Sequence, residues 1–566
     1  VSPAPSGTGG PAGGAAGAPV VVGIDLGTES VRLGAFDLQG RRVASARRTY
    51  PTAYPHDGWA EQDVESWWPA IRSAMAEVQV ALGGRELLGI GVSTTASTVV
   101  VLDAEGQPLR PAIMWMDNRA VDEVDRTAQS QHPVMAWSGG ADAVEWLVPK
   151  AMWLARHEPR TYEAAHRIVE AVDYVNFRLT GEWAASQLNA TCKWNYDPLA
   201  GRFHDELYAE LGVPDLQEKW PDRVVPLGEQ VGVVSRSAAV TLGVPAGVPV
   251  LQGGIDAHIG MLGTNTLADG RVNMVAGTSI VHLVLSPHEV RSPSIWGPYP
   301  DAILPGTWLV EGGQVSAGSV LRWFVHEILG EGADPAACHA RLMAEAATLP
   351  IGAEGLSVCD FWQGNRTPYR DARLRGSFVG LSLHHTRAHM YRAIVEAIAC
   401  GSRNALAAFS DAGVPLSDLV VSGGIRDNPL WLQATADVCG RPLQVMREPN
   451  ASLLGAAVSA AAGAGHYADL REAAAAMSHV EATIEPNPAA AAASDELFGQ
   501  YLRTVEATAG LVTRPAAPVD AGGPPGPSGA AGPRAAGDPD SGRTTPGGAP
   551  PAGPSLTTNP VQEAIA

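Results

Sequence analysis

A strand, a Gly-Thr turn and a second strand occur twice in this sequence, roughly half the folded chain apart. The first copy runs from Val20-Val21-Val22-Gly23-Ile24-Asp25, a buried-strand pattern, through Gly27-Thr28-Glu29-Ser30 into Val31 to Phe36. The second runs from Arg271 to Ala276, through Gly277-Thr278-Ser279, into Ile280 to Leu285. A recurrence at that distance marks a duplicated domain rather than a short-period solenoid. It predicts an α/β chain of two domains of one ancestry that face each other. In each turn the glycine lets backbone amides approach an anion and the threonine adds a hydroxyl donor, while Asp25 at the strand end is placed to hold a metal-bound water. Taken singly, either turn is equally a plain β-hairpin.

Just short of the middle of the chain, Val248 to Gln252 leads into Gly253-Gly254-Ile255-Asp256-Ala257-His258. Gly and Asp are common turn residues, so a turn is the plain reading of this stretch by itself. Flanked on both sides by Gly-Thr turns, the Asp256 carboxylate reads instead as a catalytic group shared by two half-proteins that close on a phosphate donor.

The segments between these landmarks alternate helix and strand. Trp67, Ile71, Met75, Val78 and Leu82 recur at helical spacing. Leu87 to Val92 reads as a buried strand ending in Ser93-Thr94-Thr95-Ala96-Ser97-Thr98, the polar kind of strand end at which open α/β sheets bind ligands, and Val99 to Leu102 is expected to resume the same sheet. Met114-Trp115-Met116-Asp117-Asn118-Arg119 fits either a functional loop or a helix start with a local ion pair. Trp146 to His157 and Tyr162 to Thr180 are expected to be helices, the second stopping at Gly181. Lys193 lies in a neutral and apolar stretch, and the stretch from Trp308 to Gln314 is read as ending a short strand with the carboxylate Glu311 and beginning a helix through Arg322, Trp323 and Phe324.

Towards the end, Gly376 to Leu383 is expected to be a strand, and a long helix with small residues on one face follows. Leu419-Val420-Val421 then reaches Ser422-Gly423-Gly424, and Pro429 sits at position N1 of a helix after Asn428. Strand, Gly-Gly and helix start suit a nucleotide, because glycines admit a flat ring or phosphate and helix amides favour negative charge. Ser452 to Ala462 is expected to be the helix that closes the second domain, and the Ala-rich remainder to about residue 511 is read as helical.

Composition narrows the functions. At 566 residues the chain exceeds what one core supports, which agrees with two domains, expected at 19–262 and 263–511. With 39 Lys and Arg against 59 Asp and Glu, the net charge of −20 opposes binding to nucleic acid or an anionic membrane and favours a small soluble substrate. The five cysteines are scattered, without CxxC pairs or metal-ligand spacing, as reduced thiols of a cytoplasmic protein would be. No basic start precedes an apolar run, and no run approaches membrane-spanning length, so neither secretion nor membrane insertion is expected. Residues 1–18 and 512–566, crowded with Gly, Pro, Ala and Ser, are expected to be disordered tails.

In this order, Asp25-Leu26-Gly27-Thr28, Trp115 with Asp117 and Arg119, Gly253 to His258, Gly277-Thr278-Ser279 and Ser422-Gly423-Gly424 resemble the FGGY carbohydrate kinases over about residues 20 to 480. The resemblance implies two actin-like (ribonuclease H-like) domains, a sugar in the interdomain cleft on the first domain, and ATP with Mg2+ on the second. Within the family, Ser93 to Thr98 is closer to ribulokinases, whose sugar contacts map onto Ala96, Lys193, Asp256 and Glu311. On the nucleotide side the resemblance puts Gly277 and Thr278 at the phosphates, Gly423, Gly424 and Asn428 near the adenosine, and Asp25 with Thr28 towards the metal and the transferred phosphoryl. The expected activity is ATP-dependent phosphorylation of a ketopentose, L- or D-ribulose to ribulose 5-phosphate, with Asp256 taking the proton of the attacking hydroxyl. A xylulokinase, or another FGGY polyol or sugar kinase, stays open. So does a different class, a non-catalytic actin-like protein regulated by nucleotide, which would need neither Asp256 nor the pair Lys193 and Glu311. The sequence leaves oligomeric state undetermined, a homodimer included.

Overall fold

A computed structural model describes residues 17–331 and 334–511. The expectation of disordered tails concerns residues almost all of which lie outside these. Two sheets carry the fold. The first has six strands in the order Gln230–Val233, Pro249–Ile255, Leu87–Thr94, Val20–Leu26, Ser30–Asp37, Arg42–Thr49. The middle three are parallel and the outer pairings antiparallel. The second has seven, in the order Trp296–Pro300, Trp308–Gln314, Ile280–Ser286, Val272–Ala276, Leu419–Ser422, Leu443–Met446, Val480–Ile484.

Without its extra edge strand Trp296–Pro300, the second sheet matches the first strand for strand, in order and in sense of pairing. The duplication read from two Gly-Thr turns therefore extends over twelve strands. One difference remains: Gln230–Val233 precedes its sheet neighbour along the chain, whereas Val480–Ile484 follows its own. The central strands are buried on both faces, which is why Val20–Leu26 reads as an uninterrupted apolar run rather than an alternation.

Each sheet's last parallel strand leads into a helix, Asp256–Gly263 after Pro249–Ile255 and Ala451–Gly463 after Leu443–Met446. These two helices pack against each other where both carry glycine. A Cβ on Gly263 would lie 2.9 Å from the carbonyl carbon of Ala451, and one on Gly455 2.8 Å from that of Ile259. Leu453, Ala456 and Ala457 pack with Val21, Phe36 and Leu251 of the first half and with Leu283 and Leu285 of the second. The helix expected at Ser452 to Ala462 is present as Ala451–Gly463, and it packs on both halves of the chain. Its sequence is apolar all round, so it needs cover on every side.

Four expectations change. Residues 162–180 are not one helix: helix Pro159–Ala164, strand Arg167–Glu170 and helix Ala171–Thr180 succeed one another. That strand pairs with Val99–Leu102, which leaves the first sheet for a separate four-stranded one, bringing Ile168 and Val169 opposite Val101 and Val100. The strand expected at 376–383 is only Ser377–Val379, and the Ala-rich end contains the strand Val480–Ile484 between its helices. All five cysteines are free. Among the described residues no helix is long and apolar enough to cross a membrane.

Candidate functional site

Gly253 and Gly254 are strand residues, not a turn. They lie at an irregularity in the pairing with Leu87–Thr94, between Leu251 and Gly254, where a Cβ on Gly253 would strike the Val92 backbone and one on Gly254 would meet Leu188 Cδ2 at 2.6 Å. A bulged strand that must pass so close to its neighbours requires glycine. The strand then enters its helix directly, with Asp256 as the first helical residue.

Three cavities meet at Gly277-Thr278. The first, about 270 Å³, is lined by Thr28, Ala96, Trp115, Lys193, Asp256 and Glu311 among others. The second, about 820 Å³, is lined by Asp25, Arg32, Asp256, Gly423 and Asn450. The third, about 540 Å³, is lined by Gly424, Asn428, Tyr391 and Trp431. Asp256 borders both the first and the second. Every site residue predicted from the sequence therefore borders one of three cavities that share Gly277 and Thr278 in their walls.

Asp256 Oδ1 accepts the Ala257 amide at 2.7 Å, which leaves Oδ2 available, and Ser452 Oγ donates to the Asp256 carbonyl at 2.8 Å. Burial, helped by the negative charge of Asp25, pushes the Asp256 carboxyl up to about 7. Asp25 Oδ2 accepts from Arg32 Nη1 at 3.0 Å and from Asn450 Nδ2 at 3.1 Å, and its Oδ1 accepts from Ser93 Oγ at 3.3 Å. Asn450 caps the helix Ala451–Gly463, so the second half of the chain helps hold a carboxylate of the first.

Lys193 ends the helix Gln187–Lys193, and its Nζ lies 3.5 Å from Glu311 Oε2 and 4.7 Å from the centre of the Trp146 ring. His258 Nε2 lies 3.5 Å from the same oxygen. Burial alone would raise the Glu311 carboxyl, but the charges of Lys193, His258 and Arg366 outweigh it and hold Glu311 well below the usual carboxylate range. Burial also lowers His258, an effect that Glu311 partly offsets. Among the described residues, neither ring nitrogen of His258 has a hydrogen-bond partner, nor has Glu311 Oε2. Buried polar atoms left unpaired beside a cavity suit a ligand rich in hydroxyl groups.

Trp115 Nε1 donates to Thr28 Oγ1 at 2.9 Å, which ties the first Gly-Thr turn to the wall of the first cavity. Asp117 and Arg119 do not border any of the three cavities. Arg119 Nη2 is bonded to Asp117 Oδ2 at 2.8 Å, Asp117 also accepts the Ala60 amide, and the guanidinium lies 3.9 Å from the centre of the Trp59 ring. This buried ion pair braces the loop that presents Trp115.

At the turn that borders all three cavities, a Cβ on Gly277 would meet no atom within 4 Å, since it would point into open space. Gly423 has φ 89° and packs on Ala276, so it is glycine for conformation as well as for space. Asn428 Oδ1 caps the helix Pro429–Cys439 at Trp431, and its Nδ2 donates to Tyr391 at 3.2 Å. Its amide is thus engaged by the fold and forms part of the cavity wall.

The sequence pattern of the FGGY carbohydrate kinases matches twice, the N-terminal domain at residues 20–263 and the C-terminal domain at 272–464. The chain belongs to the FGGY family of carbohydrate kinases. The FGGY carbohydrate kinase domain-containing protein of Xenopus laevis is 32% identical over 510 residues, spanning 82% of this chain and 92% of the relative. The ribulokinase of Geobacillus thermodenitrificans is 30% identical over 531 residues, spanning 85% and 93%. The crystal structure of a xylulose kinase from Rhodospirillum rubrum superposes with a TM-score of 0.76 at 31% identity, covering 86% of this chain and 98% of that one.

As an FGGY kinase the protein is an ATP-dependent sugar phosphotransferase with two actin-like (ribonuclease H-like) domains. Its site includes residues that the sequence reading passed over. His258 belonged to a quoted motif but carried no role. Arg366, 3.7 Å from Glu145, lay in a loop recognisable only as polar, and Asn450 was legible as a helix cap but not as a partner of Asp25. Two other His and Glu clusters in this kinase are caps. Backbone amides of Thr386 and Val134 donate to Nδ1 of His389 and His132, which puts the ring protons on Nε2, facing Glu354 and Glu206.

Proposed function

We propose that this kinase transfers the γ-phosphoryl group of ATP to a terminal hydroxyl of a ketopentose of the ribulose type. The observation that carries this reading is the convergence of Ala96, Lys193, Asp256 and Glu311 on one cavity that opens at Gly277-Thr278 towards the second. The cavity is small and its free polar atoms are acceptors and donors in mixture, as a short neutral polyhydroxy substrate requires.

Asp256 Oδ2 takes the proton as the sugar O–H bond breaks and the oxygen attacks the γ-phosphorus; the bond from that phosphorus to the β-γ bridging oxygen breaks, and ADP leaves. A base that titrates near neutrality suits this step, and the carboxyl at about 7 supports it. Lys193 and Glu311 hold sugar hydroxyls. Gly277 and Thr278 receive the phosphates, and Gly423, Gly424 and Asn428 wall the adenosine. Asp25 and Asp256 both border the phosphate-side cavity, and two carboxylates there suit a divalent cation, Mg2+, which Asp25 would hold through water. When bound, the ion neutralises phosphate charge.

A D-xylulose specificity is the second reading, favoured by the likeness to the xylulose kinase from Rhodospirillum rubrum. The two differ in the configuration of a single hydroxyl, a difference set by side-chain placement in the first cavity. Coupled ADP release by the purified protein against L-ribulose, D-ribulose, D-xylulose, polyols and glycerol tests both. The highest kcat/KM is expected for a ribulose; a preference for xylulose selects the second reading, and no ketopentose-dependent release rejects both.

A further inference from the structure

Two opposite charges are buried behind the first cavity without touching it. Lys150, Glu170 and Ser97 are each 0% exposed. Lys150 Nζ donates to the Ser97 carbonyl at 2.8 Å and to the Met114 carbonyl at 2.7 Å. Glu170 Oε1 accepts from Ser97 Oγ at 2.7 Å and from Trp194 Nε1 at 2.8 Å, and its Oε2 accepts from Asn189 Nδ2 at 2.8 Å. Ser97 is thus bonded through its carbonyl to the lysine and through its hydroxyl to the glutamate.

Three residues adjoining these contacts line the first cavity. Ser97 follows Ala96, Met114 precedes Trp115, and Trp194 follows Lys193. These three segments come from a strand end, a loop and a helix end, far apart in the sequence and held in one place by two buried side chains.

Burying charge is expensive, and a well-packed apolar replacement is often as stable, so such charges are weak evidence of stabilisation. A fully satisfied polar network does fix the relative position of the groups it joins. We infer that Lys150 and Glu170, meeting at Ser97, are positioning residues that set the spacing of Ala96, Trp115 and Lys193 and thereby the fit of the sugar. The inference rests on the reading of the first cavity as the sugar site.

The donor count supports the network as drawn. Glu170 receives three donors, two on Oε1 and one on Oε2; burial raises its carboxyl, and these same bonds oppose that by favouring the ionised form. Burial lowers the Lys150 amine to about 7, yet its neutral form still has two N–H groups for two carbonyls. The lysine half of the clamp therefore keeps both bonds whether or not its amine is protonated.

The test is steady-state kinetics of the full chain with Ser97→Ala, Glu170→Gln and, as reference, Lys193→Ala. Ser97→Ala removes one hydroxyl and leaves the Lys150 contact to the backbone, so it keeps the test open if Glu170→Gln fails to fold. Both clamp variants are expected to raise the KM for the best ketopentose by about tenfold, the effect of losing one hydrogen bond to a charged group, and to leave the KM for ATP within about twofold. A merely structural role would lower kcat through a reduced active fraction with both KM values unchanged, and that result overturns the inference. Unchanged sugar KM in both clamp variants beside a raised one in Lys193→Ala overturns it too. An unchanged sugar KM in Lys193→Ala rejects instead the reading of the cavity on which it rests.

Discussion

Lys193 Nζ stands 3.5 Å from Glu311 Oε2, although the lysine belongs to the first half of the chain and the glutamate to a strand of the second sheet. The pair spans the two duplicated halves inside one cavity. A sugar held between them touches both domains at once. Lys193→Ala is expected to raise the sugar KM by about 10- to 100-fold, the range for a lost hydrogen bond to a charged group, with the KM for ATP little changed. Steady-state kinetics with each substrate varied in turn checks this.

Asp256 gives a pH dependence of defined sign. Burial and the charge of Asp25 push its carboxyl up to about 7 in the folded protein, so the group proposed as the base is protonated on the acid side. The kcat/KM should rise with pH to a plateau above about 7, falling about tenfold per unit below it. The same raised pKa means that the folded protein binds this proton more tightly than the unfolded one. That contribution is present at acid pH and lost as pH climbs from about 4 to about 7. Asp256→Asn carries no such ionisation, so its Tm at pH 8 should exceed that of the parent by about 2–4 °C, measured by calorimetry.

Gly277 and Gly423 should respond differently to a side chain. The Cβ of Gly277→Leu has open space, so the fold tolerates it while the side chain enters the junction of the three cavities. Activity is expected to fall by at least about tenfold with Tm nearly unchanged. Gly423→Leu must adopt φ 89° against Ala276, and should lower Tm as well. Thermal melts beside the ADP-release assay separate the two.

Arg119 tests the division of the Trp115 motif into wall and brace. Arg119→Met leaves Asp117 buried without its partner and should cost about 3–5 kcal/mol in denaturant unfolding. Because the pair braces the loop that presents Trp115, the sugar KM of the molecules that remain folded is expected to rise while the KM for ATP stays within about twofold.

The features legible in the sequence are those written locally. Gly277-Thr278, Gly423-Gly424 and Asp256 sit at strand ends whose apolar runs announce them, and each borders a cavity. Lys193 and Glu311 were each visible by motif, but their meeting was not, since nothing local in either segment encodes a contact between halves. The strand Arg167–Glu170 was hidden for a related reason. Its four residues fit a helical period as well as a strand, and only pairing with Val99–Leu102 decides. Lys150 and Glu170 lay further out of reach, because a lysine or glutamate is solvated by default and burial depends on packing around the whole segment. The apolar helix Ala451–Gly463 was legible as a buried element, but not its packing on both halves, which no local pattern encodes.

Sugar-dependent ADP release by Asp256→Asn tests the central claim most directly. With the best ketopentose at saturation and ATP binding measured in parallel, turnover is predicted to fall by about 10²- to 10⁴-fold, the usual contribution of a general base, while ATP affinity is kept. Turnover close to that of the parent protein would contradict the account.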